Sequence, residues 1–240
     1  MESSALAQST SDRYPRVASP LHTILMLIAF AGWTFGAKLL ADQLRAAAAN
    51  PNRVRVYLLT IFVEWFFFVL VVVGVRRSGA SLLLVLGDRW HSARQVLRDL
   101  GIAAGFWVVA LPLLGVLARL LRVDAQGRDL QFMLPHGGAE ITLWIALSVS
   151  AGICEETIFR GYLQRQFMAL TKSAPAGILL SAAAFGAAHA YQGFRRLILI
   201  GLFGAMFGIL AYWRGSVRPG MIAHAWQDSL GGVVGGLMRH

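Results

Sequence analysis

Long apolar runs, separated by short polar segments, dominate the chain. Most of them approach or exceed the ~20 residues with which an α-helix crosses the hydrocarbon of a bilayer. They are continuously apolar rather than alternating, which argues against the strands of a membrane barrel. The pattern therefore predicts an all-α polytopic membrane protein, a bundle of about seven transmembrane helices. The predicted spans are residues 21–41, 56–75, 100–121, 140–164, 173–191, 197–213 and 221–238.

The order of these runs divides the chain into three regions. Residues 1–20 are polar and are predicted to form a disordered tail. Residues 21–136 hold the first three spans, and residues 137–238 hold the four later ones. Between the second and third spans, residues 92–97 have the pattern of an amphipathic helix at the membrane interface.

Composition supports a membrane protein and narrows the range of partners. The chain is 57% hydrophobic and 14% charged, and its mean hydropathy of +0.60 is too high for an ordinary soluble domain. The net charge of +10 would suggest nucleic acid in a soluble protein. Here, however, Lys and Arg mostly flank the apolar runs, where they face lipid headgroups. We therefore expect a multi-pass protein embedded in a lipid bilayer, with no nucleic-acid partner. A single cysteine, Cys154, excludes an internal disulfide.

Two adjacent carboxylates in the fourth span are the first candidates for chemistry. Glu155 and Glu156 follow an apolar run, and Arg160 comes four residues after Glu156. A charge at the centre of a bilayer costs roughly 2.5–3.5 kcal/mol, so these side chains must face a polar interior. Glu156 and Arg160 share a helix face, which leaves Glu155 without a local partner. An unpaired carboxylate in a membrane indicates a functional site, and Glu64 in the second span is the rival candidate.

Two later spans each carry a histidine with a partner four residues away. Phe185 is paired in this way with His189, and His224 with Asp228. One histidine on an apolar helix is more often a satisfied interior residue than a ligand. Three polar patterns in three apolar helices are tolerable only if the groups meet one another. We therefore predict that Glu155, His189 and His224 converge in one polar cavity inside the bilayer.

Such a cluster suits the hydrolysis of an amide bond. A carboxylate desolvated among helices can act as a general base, and a histidine can share the activation of a water molecule. A second histidine, with a carboxyl group, can stabilise an oxyanion. Alternatively, Glu155, His189 and His224 match the ligand set of a catalytic zinc, although the chain has no H-E-x-x-H motif. A divalent metal such as zinc therefore stays open as a cofactor.

The three patterns, in this order, resemble the CPBP family of intramembrane proteases. That family includes the CAAX prenyl endopeptidases and the bacterial Abi-type proteins. Its pattern is E-E-x-x-x-R, then F-x-x-x-H, then H-x-x-x-N/D, and the segments that begin at Glu155, Phe185 and His224 match it. The resemblance covers residues 137–238. It implies an intramembrane endopeptidase of a bacterial cell membrane, acting on a peptide or membrane-protein substrate by a metalloprotease or a metal-free glutamate mechanism.

The resemblance also implies roles for individual residues. Glu155 would be the catalytic base, and His189 would share the activated water. His224 and Asp228 would stabilise the oxyanion or complete a metal site. The geometry of the site would be supported by Glu156, Arg160 and Phe185.

Position 228 departs from the commoner form of the pattern. It is Asp here, where the prenyl endopeptidases typically carry Asn. An amide can donate a hydrogen bond to an oxyanion, whereas an ionised carboxylate cannot. Asp228 is therefore expected to be protonated, to pair with a neighbour or to bind a metal.

Two other functions stay open at this point. A proton-coupled transporter also keeps ionisable residues in its spans. A proton relay would spread carboxylates along a path that includes Glu64, whereas a hydrolase gathers them at one depth. A non-catalytic scaffold or immunity protein of the same family is the third possibility, and the intact three-part pattern argues against it.

Overall fold

The computed structural model describes residues 14–46, 52–123 and 133–238 and is all-helical over these ranges. A π-helical segment, Glu156–Leu163, joins α5 to α6 without a break, and a short 3₁₀ turn, Ala190–Gln192, links α7 to α8. The α-helices are α1 (Pro20–Ala46), α2 (Arg53–Arg77), α3 (Leu82–Leu86), α4 (Ala93–Leu120), α5 (Gly137–Glu155), α6 (Gln164–Thr171), α7 (Ala174–Ala188), α8 (Phe194–Arg214) and α9 (Arg218–Leu237).

The predicted polytopic architecture is confirmed. Among the described residues, five helical stretches are long and apolar enough to cross a membrane, namely Pro20–Gln43, Arg53–Arg77, Ala93–Leu120, Gly137–Thr171 and Phe194–Arg214. The shorter apolar helix α7 and the helix α9 bring the total close to the predicted seven. Many large apolar side chains on α1, α2 and α4 are exposed, as expected for surfaces that face lipid.

Local sequence signals account for where several helices begin and end. The Asn52 side chain accepts a hydrogen bond from the Arg55 amide and caps the start of α2. Ser173 caps α7 in the same way, with a proline in the first turn, where the missing N–H costs nothing. Gly215, at a φ of 61°, adopts the left-handed conformation that ends α8.

Two predicted segments differ from the structure. Residues 92–97 do not form a separate interfacial helix, because α4 begins at Ala93 and continues unbroken to Leu120. The second segment is the tail predicted at residues 1–20. Its first 13 residues lie outside the described residues, and in the described remainder Val17 and Ala18 are buried. Their amides donate hydrogen bonds of 2.9 and 3.2 Å to the Gln166 side chain. Predicted disorder therefore does not extend to these two residues, since a distant glutamine satisfies their backbone groups.

Two apolar clusters flank the π-helical segment. The first packs α1, α2 and α7 around it and includes Phe159 and Phe185. The second joins α4, α8 and α9 and includes Phe207 and Ala223. Since residues of both clusters contact Arg160, the polar residues of this segment lie between them.

Two glycines of α8 let polar side chains approach its backbone. Gly204 accepts a hydrogen bond of 3.2 Å from Arg160, and Gly208 accepts one of 3.0 Å from Gln164. A Cβ atom on Gly204 would come within 2.9 Å of the Phe185 ring and 3.2 Å of the Arg160 guanidinium. The Gly-x-x-x-Gly pair therefore makes room for side-chain hydrogen bonds as well as for close helix packing.

We expect Gly204→Ala to destabilise the protein by about 1–3 kcal/mol, because the added methyl group overpacks the buried contact with Phe185. Gly105→Ala on α4 is the matched control, since nothing lies within 4 Å of a Cβ atom there. That change should leave stability unchanged or raise it by up to ~1 kcal/mol. Thermal unfolding in detergent measures both, and equal melting temperatures for the two variants would contradict the packing argument.

Candidate active site

The glutamate pair lies where an α-helix changes to a π-helix. Glu155 is the last residue of α5, and Glu156 is the first residue of the π-helical segment, all of whose residues are buried. π-Helical turns are rare and occur frequently at functional sites. Sequence analysis missed this change, since an apolar run has the same composition in either helical form.

Glu156 and Arg160 form the predicted ion pair. Glu156 Oε1 is 2.9 Å from Arg160 Nη1, and the two side chains are 0% and 1% exposed. The guanidinium carbon also lies 4.2 Å from the centre of the Phe185 ring and 5.2 Å from that of Phe207. Aromatic rings therefore surround the guanidinium of Arg160, whose side chain is shielded from water.

His224 joins three carboxylates. Its Nδ1 lies 3.1 Å from Glu156 Oε1, so Glu156 is shared between Arg160 and this ring. Its Nε2 lies 3.7 Å from Glu155 Oε2 and 3.4 Å from Asp228 Oδ2. The Phe207 ring stacks on the imidazole at 5.5 Å, which fixes the plane of the ring. Of the three conditions considered for Asp228, the geometry corresponds to pairing with a neighbour.

His189 contacts the site through Phe185. Its ring is centred 4.8 Å from the Phe185 ring, which is itself 6.1 Å from the ring of His224. Nδ1 of His189 is 2.9 Å from the Phe185 carbonyl oxygen and must donate to it, which leaves Nε2 as an acceptor. Within the part of the chain that the structure describes, no hydrogen bond or ion pair joins His189 to Glu155. The structure therefore brings Glu155 and His224 together directly, and His189 only as a neighbour of Phe185.

Exposure increases steadily across the cluster. Arg160 and Glu156 are sealed, His224 is 6% exposed, Glu155 is 20% exposed and Asp228 is 34% exposed. One Glu155 oxygen, Oε2, is buried without a hydrogen-bond partner and faces His224. The site is therefore buried at Glu156 and Arg160 and exposed at the protein surface at Glu155 and Asp228.

Two further ionisable groups interact with this cluster. Glu64 on α2 is 9% exposed, lies near Ser150 and interacts electrostatically with Glu155 and Asp228. From the sequence, Glu64 was predicted only as an alternative to Glu155 as the functional carboxylate. Tyr191, in the turn after α7, was missed because nothing in its local pattern distinguishes it from the end of a span.

Tyr191 is a neutral hydroxyl at this edge of the site. Its ring is centred 6.1 Å from the ring of His189. Burial, more than the negative charge of Glu155, raises the pKa of Tyr191 to about 12. It therefore remains protonated at physiological pH and offers an O–H group beside the histidine.

The candidate metal ligands do not form a coordination site. In residues 14–46, 52–123 and 133–238, no three His, Cys, Asp or Glu side chains are arranged to hold a metal ion. His224 Nε2 lies 3.7 Å from Glu155 Oε2 and 3.4 Å from Asp228 Oδ2, whereas His189 has no hydrogen bond or ion pair with Glu155 among the described residues. Glu155, His189 and His224 are therefore not gathered into one group of three ligands among the described residues.

Comparison with known proteins agrees with the motifs. Residues 137–230 match the family described as type II CAAX prenyl endopeptidase Rce1-like. This segment contains all three motifs and confirms the resemblance to the CAAX protease family, although it covers fewer than half of the 240 residues. No curated protein and no solved structure matches the chain.

The buried ion pair generates a stability prediction. Removing one partner of a buried pair leaves an uncompensated charge and costs ~3–5 kcal/mol, so we expect Arg160→Ala and Glu156→Gln each to lower the melting temperature sharply. The control is Lys38→Ala, which breaks an i,i+4 pair with Asp42 whose side chains are 50% and 46% exposed. That loss should be below ~1 kcal/mol. A stable Arg160→Ala protein without activity would instead give Arg160 a direct role in catalysis.

Proposed function

We propose that this protein is an intramembrane endopeptidase in which Glu155 activates a water molecule to hydrolyse a peptide bond. The observation that carries the proposal is the increase in side-chain exposure from Glu156 and Arg160 to Glu155. Glu156 and Arg160 are sealed from solvent and form an ion pair with each other, whereas the Glu155 side chain is 20% exposed and its Oε2 has no hydrogen-bond partner among the described residues. A carboxylate that is fixed beside cationic groups yet open to water suits a general base.

The first chemical step would use Glu155 and His189. Glu155 takes a proton from water as the water oxygen attacks the carbonyl carbon of the substrate. His189 can hold the same water through Nε2, because its Nδ1 is committed to the Phe185 carbonyl. The attack forms a tetrahedral intermediate whose oxygen carries the negative charge.

His224 would stabilise that charge. Glu156 holds its Nδ1–H, so the Nε2–H of a protonated ring points towards the open side of the site. Asp228 pairs with this nitrogen, so in this chain the donor is the imidazolium and not the residue at position 228. Glu155 then returns its proton to the leaving nitrogen, and the C–N bond breaks to give an amine and a carboxylic acid, which releases its proton to become a carboxylate.

The substrate would be a peptide or a segment of a membrane protein that reaches the site from the membrane. The CAAX prenyl endopeptidase match supports this class, since it covers the residues placed around the open carboxylate. The proposed mechanism uses only side chains of this chain.

We expect Glu155→Gln to abolish peptide hydrolysis while the melting temperature stays near that of the wild type, because the change is isosteric and spares the Glu156–Arg160 pair. The matched control is Glu140→Gln on the same helix, whose carboxylate has a similar exposure of 22% and pairs with Arg53 outside the site. Glu140→Gln should keep near wild-type turnover. The assay is cleavage of a C-terminal peptide library by the purified protein, and near wild-type turnover by Glu155→Gln would refute the proposed base.

A proton-coupled transporter is the second candidate, and Glu64 is the observation that favours it. Glu64 extends the line of carboxylates from Glu155 into α2. However, its interactions with both Glu155 and Asp228 place it in the same cluster rather than on a separate path. Gathered carboxylates are what a hydrolase needs.

Glu64→Gln distinguishes the two functions. For a protease, we expect turnover within about tenfold of the wild type, since Gln preserves the shape of the side chain and Glu155 retains its charge. A transporter that relays protons through Glu64 would lose proton flux completely in reconstituted vesicles. Proton flux that disappears in Glu64→Gln, together with a wild-type protein that cleaves no peptide, would favour the transporter.

A further inference from the structure

A polar cavity lies next to Arg160, and its lining includes no residue of the carboxylate cluster. Its volume is about 230 Å³. It is bounded by α6, the end of α8, the start of α9 and the chain before α1. Among the described residues, its lining includes the side chains of Arg160, Gln164, Arg165, Tyr14 and Tyr212 and contains no acidic group.

Arg165 gives this cavity an unbalanced positive charge. Its side chain is half-buried, and it forms no hydrogen bond or ion pair with any residue that the structure describes. The neighbouring cations are engaged differently, since Arg160 pairs with Glu156 and Arg214 lies 3.4 Å from Asp99. Because this half-buried guanidinium has no acidic partner among the described residues, its five donors suit an anionic ligand.

The cavity lies at the edge of the membrane-spanning region. Tyr14 precedes α1, while Tyr212 and Gly215 mark the end of α8. Tyr212 and its neighbour Trp213 are 50% and 68% exposed, and such amphipathic aromatic side chains are typical of the headgroup level of a bilayer. Basic pockets between helices at this depth bind the headgroups of anionic lipids.

We propose that this cavity binds a phosphate group through Arg165, presented by the headgroup of an anionic phospholipid. Its volume is several times the ~30 Å³ that a water molecule occupies in liquid, which leaves room for the phosphate and part of the glycerol. The planar guanidinium matches two phosphate oxygens at once. Nothing in this inference depends on the proposed protease activity.

The ligand would also lie next to the machinery of the first site. Arg160 lines the cavity and is paired on its other side with Glu156. A bound anion would therefore stabilise the folded state at the point where α6 continues from the π-helical segment. Ligand binding to the native state raises the melting temperature in proportion to the logarithm of ligand concentration, which makes stability a direct readout.

The test is a thermal unfolding titration of the full-length protein in detergent with phosphatidylglycerol, phosphatidylcholine or inorganic phosphate. We expect phosphatidylglycerol to raise the melting temperature, and phosphatidylcholine to have little effect because its choline cation cancels the phosphate charge. Arg165→Gln should weaken the phosphatidylglycerol affinity on the order of tenfold, as expected for the loss of a charge-assisted contact. Arg94→Gln is the matched control, since Arg94 is exposed at the start of α4, outside the cavity, and should keep the wild-type affinity.

Each outcome decides the proposal. Equal affinities of the wild type and Arg165→Gln for phosphatidylglycerol would overturn it, as would a wild-type protein that does not distinguish the two lipids. An equal shift with inorganic phosphate alone would support the phosphate site and overturn its lipid source. If Arg165→Gln does not fold, Arg165→Lys replaces it. This variant keeps the charge but loses the two-pronged contact, so it should bind phosphatidylglycerol more weakly than the wild type and still more tightly than phosphatidylcholine.

Discussion

One buried carboxylate holds the polar centre of this molecule together. Glu156 accepts from both Arg160 and His224 at a place that water does not reach. A lone charge there would be prohibitive, so each of the three groups is tolerable only because the other two are present. The two apolar clusters supply Phe185 and Phe207, whose rings lie against the same arginine. The packing of the two apolar clusters and the pairing of the buried charges therefore depend on the same group of side chains around Arg160.

This anchoring separates structural charge from reactive charge. Glu156 pairs with both Arg160 and His224, whereas the one ion-pair contact of Glu155 among the described residues is 3.7 Å from His224, although the two glutamates are adjacent in the chain. A helix turns by about 100° per residue, so neighbouring side chains necessarily point in different directions. One glutamate can thus be fully neutralised while the next stays accessible, and the general base of the proposed mechanism is held by a rigid neighbour.

The sequence alone predicted the parts of the fold that depend on local helix geometry or on the free-energy cost of placing a charged side chain in a membrane. Apolar runs indicated the spans, and i,i+4 spacing indicated the Glu156–Arg160 pair and the His224–Asp228 pair, because both follow from helix geometry. The cost of charge in a membrane indicated that Glu155 and His224 should meet. The same cost predicted that His189 would join them, but among the described residues His189 contacts Phe185 and Tyr191 instead, since the direction of a side chain at the end of a helix depends on tertiary packing.

Other features depend on contacts between distant segments, and the sequence gives no local signal for them. Gln166 secures Val17 and Ala18 from almost 150 positions away, so a polar segment that reads as a tail is held against the bundle. Likewise, Glu64 and Tyr191 come near the site only through the way α2 and the turn after α7 are placed. A ligand set for zinc was compatible with the residue types present, but compatibility of type does not fix the distances that coordination requires.

The π-helical segment has a consequence for how this chain can change over evolution. Its hydrogen-bonded rings contain one residue more than those of an α-helix, and its length sets the rotation of everything that follows. Loss of one residue between Glu156 and Leu163 would turn α6 by about 100° relative to α5. Gln164 would then leave Gly208, and Gln166 would leave the amides of Val17 and Ala18. Homologues of this chain should therefore vary in composition through this segment far more readily than in length, and a gap placed here in an alignment would indicate a differently assembled bundle.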